Sequence, residues 1–339
     1  MGIPVLDLAA AAKSSPEVLR EWGDAARGFG AFRLVNHGVP TSVRESCAAA
    51  ARWFHGREAS WKDRFAIERS RGNKGFVPAD FSPRASGSDR VVRDYASLDF
   101  GAESTSADGL RAILLGPNLW PDEPGFRSAV EAYNEAVHAC AVRVSRLLSL
   151  VCGLEEKYIE QRSVDGCSLL RLLHYPKPAP QFDSMAGGHT DYEWFTLLWQ
   201  SAEGLEVYGR DGGVHRVEAC DDSLIVLIGD LLEVLSGGRL ESTLHWVTPR
   251  EPDRYSLTYF YGPGFDELVA PVGAPESAAV AYPALAAGEH LTALRVRHFA
   301  HLRAALADGT LRLPFALPAG NPLKAAKESR LAASVAAAR

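Results

Sequence analysis

From residue 167 onward the hydrophobic period changes from helical to strand-like, and this restricts the fold more than any other feature of the chain. Candidate strands run over 168–175, 186–190, 194–199, 204–208, 214–217, 223–228, 243–248 and 255–261. Each is short and bounded by Gly, Pro or Asp. Closely spaced short strands of this kind predict a double-sheet jelly roll. Asp211-Gly212-Gly213 and Ser236-Gly237-Gly238 have the composition of hairpin turns. Just upstream, apolar positions 126, 130, 133, 137, 140, 144, 147 and 151 recur at threes and fours. They predict one amphipathic helix from about Gly125 to Cys152, closed by Gly153 and about 40 Å long. The expected fold is mainly β with helical additions: a jelly-roll core, or double-stranded β-helix, backed by that long helix.

Within the strand-rich half, GGHTDYEWFTLLWQ (187–200) holds His189-Thr190-Asp191. In a strand, residues i and i+2 point to the same face, so His189 and Asp191 can reach one metal together. A third candidate, His245 in STLHWV, lies 54 positions beyond Asp191 and has to arrive on a strand folded back beside them. Two imidazoles and one carboxylate are the facial triad that holds non-haem Fe(II) and leaves three positions open. H-x-D alone is a weak signal, since a polar strand end has the same look. It gains weight from the later His and from Arg254-Tyr255-Ser256 at the start of an apolar strand. Arg254 and Ser256 share a face, and a guanidinium fork can bind a carboxylate bidentately.

The N-terminal part reads as a short strand at Ile3–Leu8. A helix follows, with Ser15 as N-cap and Pro16 at its first position, running to about Arg27. A strand is expected at 31–39, then a second helix with a Ser42/Glu45 capping box, ending near His55. His37 and His138 read as structural, and His290, His298 and His301 as surface residues of a C-terminal helical stretch that begins after 286. Residues 68–110 show little periodicity and read as a solvated loop. The division expected is 1–120 as a region covering the core, 121–318 as the core with its helices, and 319–339 as a tail.

The segments GFGAFRLVNHGVP, GGHTDYEWFTLL, GLEVYGRDG, LIVLIGDLLEVLSGG, STLHWVTP and RYSLTYFYGP follow one another in an order that resembles the Fe(II)/2-oxoglutarate-dependent oxygenases of the isopenicillin N synthase-like superfamily. The resemblance implies Fe(II) on His189, Asp191 and His245, and 2-oxoglutarate with its far carboxylate on Arg254 and Ser256. Tyr175, in RLLHYP, matches the tyrosine that adds a hydroxyl there. It also implies that O2 and the keto acid are consumed, with release of succinate and CO2, as a substrate is oxidised. Family halogenases lack the carboxylate ligand, so Asp191 points to hydroxylation, desaturation or ring formation. The 68–110 segment folds over the active site in that family, which makes Arg93 and Tyr95 substrate candidates, with Glu193, Trp194 and Phe260 beside them. Leu227, Leu173-His174, Trp246 and Glu193 depart from the usual family residues without touching the ligand set.

Composition narrows the partners. The 339 residues are 47% hydrophobic, ample for a core, and the formal net charge of −6 with no long Lys/Arg block disfavours nucleic acid and anionic membranes. No run of 18 apolar residues occurs, no signal peptide is visible, and Leu6 stands where a myristoylation motif needs Ser or Thr. Five scattered cysteines without C-x-x-C suit reduced thiols in a cytoplasm. The expectation is a cytoplasmic enzyme on a small molecule. Two alternatives stay open: an Fe(II) oxidase of the same fold that uses no 2-oxoglutarate, and a silent binding module. Open substrate classes are amino acids, peptides, nucleosides and specialised metabolites.

Overall fold

The computed structural model describes residues 2–79, 95–104, 109–177, 188–273, 282–318 and 323. The first part contains β1 (Val5–Asp7), α1 (Pro16–Gly28), β2 (Ala31–Val35), α2 (Thr41–His55), α3 (Ala59–Lys62), β3 (Phe76–Val77), β4 (Ala96–Gly101) and α4 (Ala112–Leu115). After α5 (Phe126–Val151) and α6 (Tyr158–Gln161) come β5 (Leu169–Tyr175), β6 (Phe195–Gln200), β7 (Leu205–Tyr208), β8 (Val214–Arg216) and β9 (Leu224–Ile228). Then follow α7 (Asp230–Leu235), β10 (His245–Val247), β11 (Arg254–Tyr261), β12 (Leu268–Val269), β13 (Leu285–Ala286) and two C-terminal helices, Ala287–His298 and Ala300–Ala307.

Two sheets face each other. The larger has the order β1-β2-β9-β6-β11-β5-β4-β3, and the smaller is β10-β7-β8. Every pairing in them is antiparallel except β1 with β2. Leu198, Leu205, Val207, Val217, Ile225 and Leu227 fill the space between the sheets. The opposite face of the large sheet carries the main core, where Leu172, Leu197, Val226, Tyr255, Leu257 and Tyr259 pack with Tyr133, Val137 and Val144 of α5. β11 shows the sorting most clearly. All eight of its residues are buried, but Tyr255, Leu257, Tyr259 and Tyr261 join the core, while Arg254, Ser256, Thr258 and Phe260 alternate to the inner face.

Seven of the eight expected strands form within a residue or two of their predicted bounds. The eighth, 186–190, lies partly outside the described residues, and its described part makes only an isolated bridge at His189. α5 ends as expected: Leu154 N–H bonds the Ser149 carbonyl, Gly153 N–H bonds that of Leu150, and Gly153 takes φ 72°.

Several expectations need correction. Asp211-Gly212-Gly213 does turn a hairpin from β7 to β8. Ser236-Gly237-Gly238 instead caps α7, a helix the strand-rich reading overlooked: Gly237 and Gly238 N–H groups bond the Val234 and Glu233 carbonyls. α2 starts two residues early, at Thr41 after Pro40, so Ser42 is inside the helix and no capping box forms. The 31–39 strand stops at Val35, where Asn36 takes a positive φ. The 68–110 stretch is not only loop, because β4 lies buried between β3 and β5. Its periodicity is hidden by Asp99, which is fully buried and held bidentately by Arg171 at 2.7 and 2.8 Å. His290 is buried rather than superficial. His301 Nε2 lies 2.9 Å from Asn73 Oδ1, so it too is a packing residue. The tail from 319 falls outside the described residues except for Leu323. No helix among the described residues is long and apolar enough to cross a membrane.

α2 docks on β5 through His55, which is 4% exposed and whose Nε2 lies 3.2 Å from the Leu172 carbonyl. Burial, and next the neighbouring His174, pull the His55 pKa down to about 3. Below the ordinary histidine value of about 6.5, the unfolded chain binds a proton that the folded one refuses, so stability is lost as pH falls from there towards 3. The loss from this one group is about 1.4 kcal/mol per pH unit. Urea unfolding of His55→Phe at pH 6, 5 and 4 should show a correspondingly shallower acid loss than the parent. Parallel curves would refute the assignment.

Candidate metal centre

The mouth between the sheets is closed by one antiparallel bridge. His189 N–H bonds the His245 carbonyl and His245 N–H bonds the His189 carbonyl, both at 3.0 Å. The pairing sets the two imidazoles side by side, with ring centroids 4.4 Å apart. Asp191 completes the group: its Oδ1 is 3.6 Å from His189 Nε2 and 3.7 Å from His245 Nε2. The three side chains offer ligand atoms within 4.8 Å of one another, close enough to hold one ion. Neighbours fix their orientation. Thr196 Oγ1 donates to Asp191 Oδ2 at 2.5 Å, which leaves Oδ1 for a metal. His245 Nδ1 donates to the Thr243 carbonyl at 3.0 Å, which turns Nε2 towards Asp191 as the ligand atom. Asp191 and His245 side chains are about 5% exposed, whereas that of His189 is 51% exposed, so the centre opens on the His189 side.

The start of α7 holds the ligand loop. Its unpaired first-turn donors take loop carbonyls, with Asp230 N–H on Asp191 at 2.8 Å and Leu231 N–H on Glu193 at 3.2 Å. Gly229 makes the approach possible, since a Cβ there would sit 2.2 Å from the Glu193 carbonyl oxygen.

On the inner face of β11, Arg254 is 1% exposed. Its Nη2 donates to Gln200 Oε1 at 2.7 Å and its Nε to the Ala202 carbonyl at 3.1 Å, while Nη1 has no hydrogen-bond partner among the described residues. The guanidinium lies over the Tyr175 ring, 4.6 Å from its centroid, and Tyr175 pairs directly with Arg254 across the strands. Burial pushes the Tyr175 phenol up to about 12 against the pull of Arg254, so it is a hydrogen-bond donor at neutral pH. Among the described residues no carboxylate pairs with Arg254. A buried cation left in this state is unfavourable until an anion meets it. Ser256 stands on the same face and donates to the Trp199 carbonyl at 2.7 Å. This donor set fits a ligand carboxylate.

Two family models match the chain: the 2OG-Fe(II) oxygenase superfamily over residues 166–263, and the N-terminal region of non-haem dioxygenases in morphine synthesis over 3–123. Jasmonate-induced oxygenase 4 of Arabidopsis thaliana is 32% identical over 80% of this chain and 75% of its own length. A gibberellin 2-beta-dioxygenase of Phaseolus coccineus is 30% identical over 80% of each. The chain belongs to the 2OG-Fe(II) oxygenase superfamily. A solved structure assigned to that family, from Caulobacter crescentus, superposes with TM-score 0.75 at 26% identity over 87% of this chain and 98% of the other. The jelly-roll core and the Fe(II)/2-oxoglutarate-dependent class of enzyme follow from this membership.

The remaining expected site residues of this oxygenase divide. Phe260 lies on the inner face with the Arg171 guanidinium 5.4 Å from its centroid. The Tyr95 ring sits 5.1 Å from Tyr175. Arg93 lies outside the described residues. Trp194 does not line the pocket: it is fully buried in the main core and donates Nε1–H to Ser163 Oγ at 3.1 Å. Glu193 is 7% exposed. Its burial, and next the charge of Asp191, push its carboxyl up to about 7. His37 is structural, with Nδ1 accepting from Val39 N–H at 3.1 Å. The sequence reading missed Thr196, Gln200, Arg171 and Asp99. The first two stand at inner-face positions of the 187–200 motif and were within reach of the period-two rule.

Thr196→Val keeps the shape of the side chain and removes the bond that orients Asp191. Divalent metal affinity should fall roughly ten- to a hundred-fold, as measured by Co(II) titration. Unchanged affinity would remove Thr196 from the centre.

Proposed function

We propose that His189, Asp191 and His245 hold Fe(II), and that Arg254, Ser256 and Tyr175 hold the far carboxylate of 2-oxoglutarate, so that a small molecule bound beside them is oxidised. The observation that carries this reading is the buried Arg254, whose Nη1 is unpartnered among the described residues, on the face it shares with Ser256. When bound, iron and keto acid supply the oxidising power, with O2 reduced and 2-oxoglutarate converted to succinate and CO2. The protein's own residues supply position. Arg254 and the Tyr175 hydroxyl donate to the carboxylate. Ser256 turns its hydroxyl from Trp199 to join them. Thr196 keeps Asp191 aimed at the metal. A carboxylate at 191 occupies the position a halide needs in a halogenase, which favours hydroxylation, desaturation or ring formation.

The region 1–120 is read as the part that covers the core of 121–318, ahead of the tail 319–339. Support comes from β4, which brings residues before 120 alongside β5, the strand that ends at Tyr175. A cytoplasmic setting and a small-molecule substrate, with neither nucleic acid nor membrane as partner, agree with the net negative charge and with free Cys47, Cys140, Cys152, Cys167 and Cys220.

His189→Ala, Asp191→Ala and His245→Ala should each abolish 2-oxoglutarate turnover with the fold retained by circular dichroism. Near-parental turnover in any one would remove that residue from the ligand set. Arg254→Ala leaves a buried ligand carboxylate uncompensated, at a cost of about 3–5 kcal/mol. Binding of 2-oxoglutarate should then weaken roughly a hundred-fold or more. Arg254→Lys should recover part of it, restoring charge but not the fork. Anaerobic titration of the Fe(II) protein, followed by its charge-transfer absorption, measures both. An unchanged constant in Arg254→Ala would favour the oxidase that uses no 2-oxoglutarate.

A further inference from the structure

A pocket that the reaction does not use lies on the face of the large sheet turned away from the metal ligands. β6 alternates as β11 does: Gln200 meets Arg254 on the inner face, while Phe195, Leu197 and Trp199 point into the core under the helices. Where α2 reaches the end of β6, a cavity of about 210 Å³ remains. It is lined by Arg44, Glu45 and Arg52 of α2, by Trp199 and Ser201, and by Asp221 from the turn before β9. The Arg44 side chain is 6% exposed. Its Nη1 donates to the Asp221 carbonyl. Its Nη2 is 3.8 Å from a Glu45 carboxylate oxygen, beyond hydrogen-bond reach. Its Nε has no partner among the described residues. The guanidinium lies over Trp199, 5.3 Å from the ring centroid. Trp199 is itself 5% exposed, and among the described residues its Nε1–H has no acceptor. Ser201 Oγ accepts the Tyr255 N–H at 2.8 Å, so its own proton is available to an acceptor. Arg52 adds a second guanidinium, 5.9 Å from the Tyr255 ring centroid.

Buried donors without acceptors, one of them on a cation, are unfavourable until an acceptor reaches them. The two carboxylates of the lining stand at the rim: 67% of the Glu45 side chain is accessible, and Asp221 is exposed. Water and salt screen them there, whereas Arg44 is enclosed. A planar guanidinium beside an indole N–H and a hydroxyl suits an anion that presents oxygen atoms. The cavity admits such a group on a small body, and falls short of the roughly 300 Å³ at which pockets for drug-sized ligands begin. We propose that this pocket binds a small oxyanion, held by Arg44, Arg52 and the Trp199 N–H, separately from the metal centre and from Arg254. Two sources share this chemistry: tetrahedral anions of the phosphate type and planar carboxylates.

The test uses the full-length protein loaded with Fe(II) and 2-oxoglutarate under nitrogen, so that Arg254 is already engaged. Sulfate, methyl phosphate and acetate are titrated by calorimetry at constant ionic strength, with chloride as the reference anion. Saturable binding of one ion per chain, absent with chloride, is expected. Tighter binding of sulfate and methyl phosphate identifies a phosphate-type ligand, and tighter binding of acetate a carboxylate. Arg44→Gln should weaken the binding about tenfold or more, since a charge-assisted contact is lost. Arg52→Gln changes an exposed side chain, and Trp199→Phe keeps a ring under the guanidinium while removing the N–H. Each should weaken binding about threefold or more with the fold retained by circular dichroism. Binding left unchanged in both Arg52→Gln and Trp199→Phe overturns the proposal, whatever Arg44→Gln does, because loss in Arg44→Gln alone would reflect the packing of α2. Absence of saturable binding by all three probes also overturns it and leaves a pocket filled by water.

Discussion

Two backbone hydrogen bonds between His189 and His245 underlie the whole centre. Each is an ordinary 3.0 Å amide–carbonyl contact, but together they register a loop against β10 with no freedom to slip. A one-residue shift in pairing would turn one imidazole away from the other. Asp191 is then placed by a different device, the N–H groups of α7, which take up the carbonyls of the loop around it. The centre thus draws on both sheets and on one helix end. Orientation comes from side chains that are not ligands: Thr196 on the carboxylate and the Thr243 carbonyl on the His245 ring.

The large sheet serves two purposes because its strands alternate. On one face, the odd residues of β11 and their neighbours seal against α5 and α2. On the other, Arg254, Ser256 and Thr258 look into the space between the sheets. This explains a strand with every residue buried that still carries arginine and serine. The polar members face an interior meant to receive a ligand, and the apolar members face a permanent core. Helix α5 contributes no ligand. It supplies the apolar surface that allows one face of the sheet to be dry.

Charge is distributed along the inner face in two groups. Arg254, with Gln200 and Tyr175, forms a cationic end suited to an anion. Arg171 and Asp99 form a second, internally paired group on the neighbouring strands β5 and β4. The first group fits what the family's co-substrate requires.

Spacing along the chain was enough to put His189, Asp191 and His245 forward as one group and Arg254 and Ser256 on one face, and the structure brings the first three within 4.8 Å of one another, because a two-residue period and a strand that folds back are local rules acting on a recognisable series. It was enough for α5 too, where a 26-residue helix repeats its apolar face many times over. Local pattern failed where the decisive partner was distant. β4 was hidden because Asp99 breaks its apolar run, and only Arg171, 72 residues away, makes that charge tolerable inside a sheet. α7 was hidden because six residues are too few to show a period, and its N-terminus is defined by the carbonyls of the 191–193 loop. Trp194 passed for a pocket residue until the fold buried it against Ser163. The sequence by itself determined the ligand types, the strand alternation and the family. Which buried charges meet, which face the cavity and which pack into the core was decided by tertiary structure, because those outcomes depend on neighbours that no local spacing specifies.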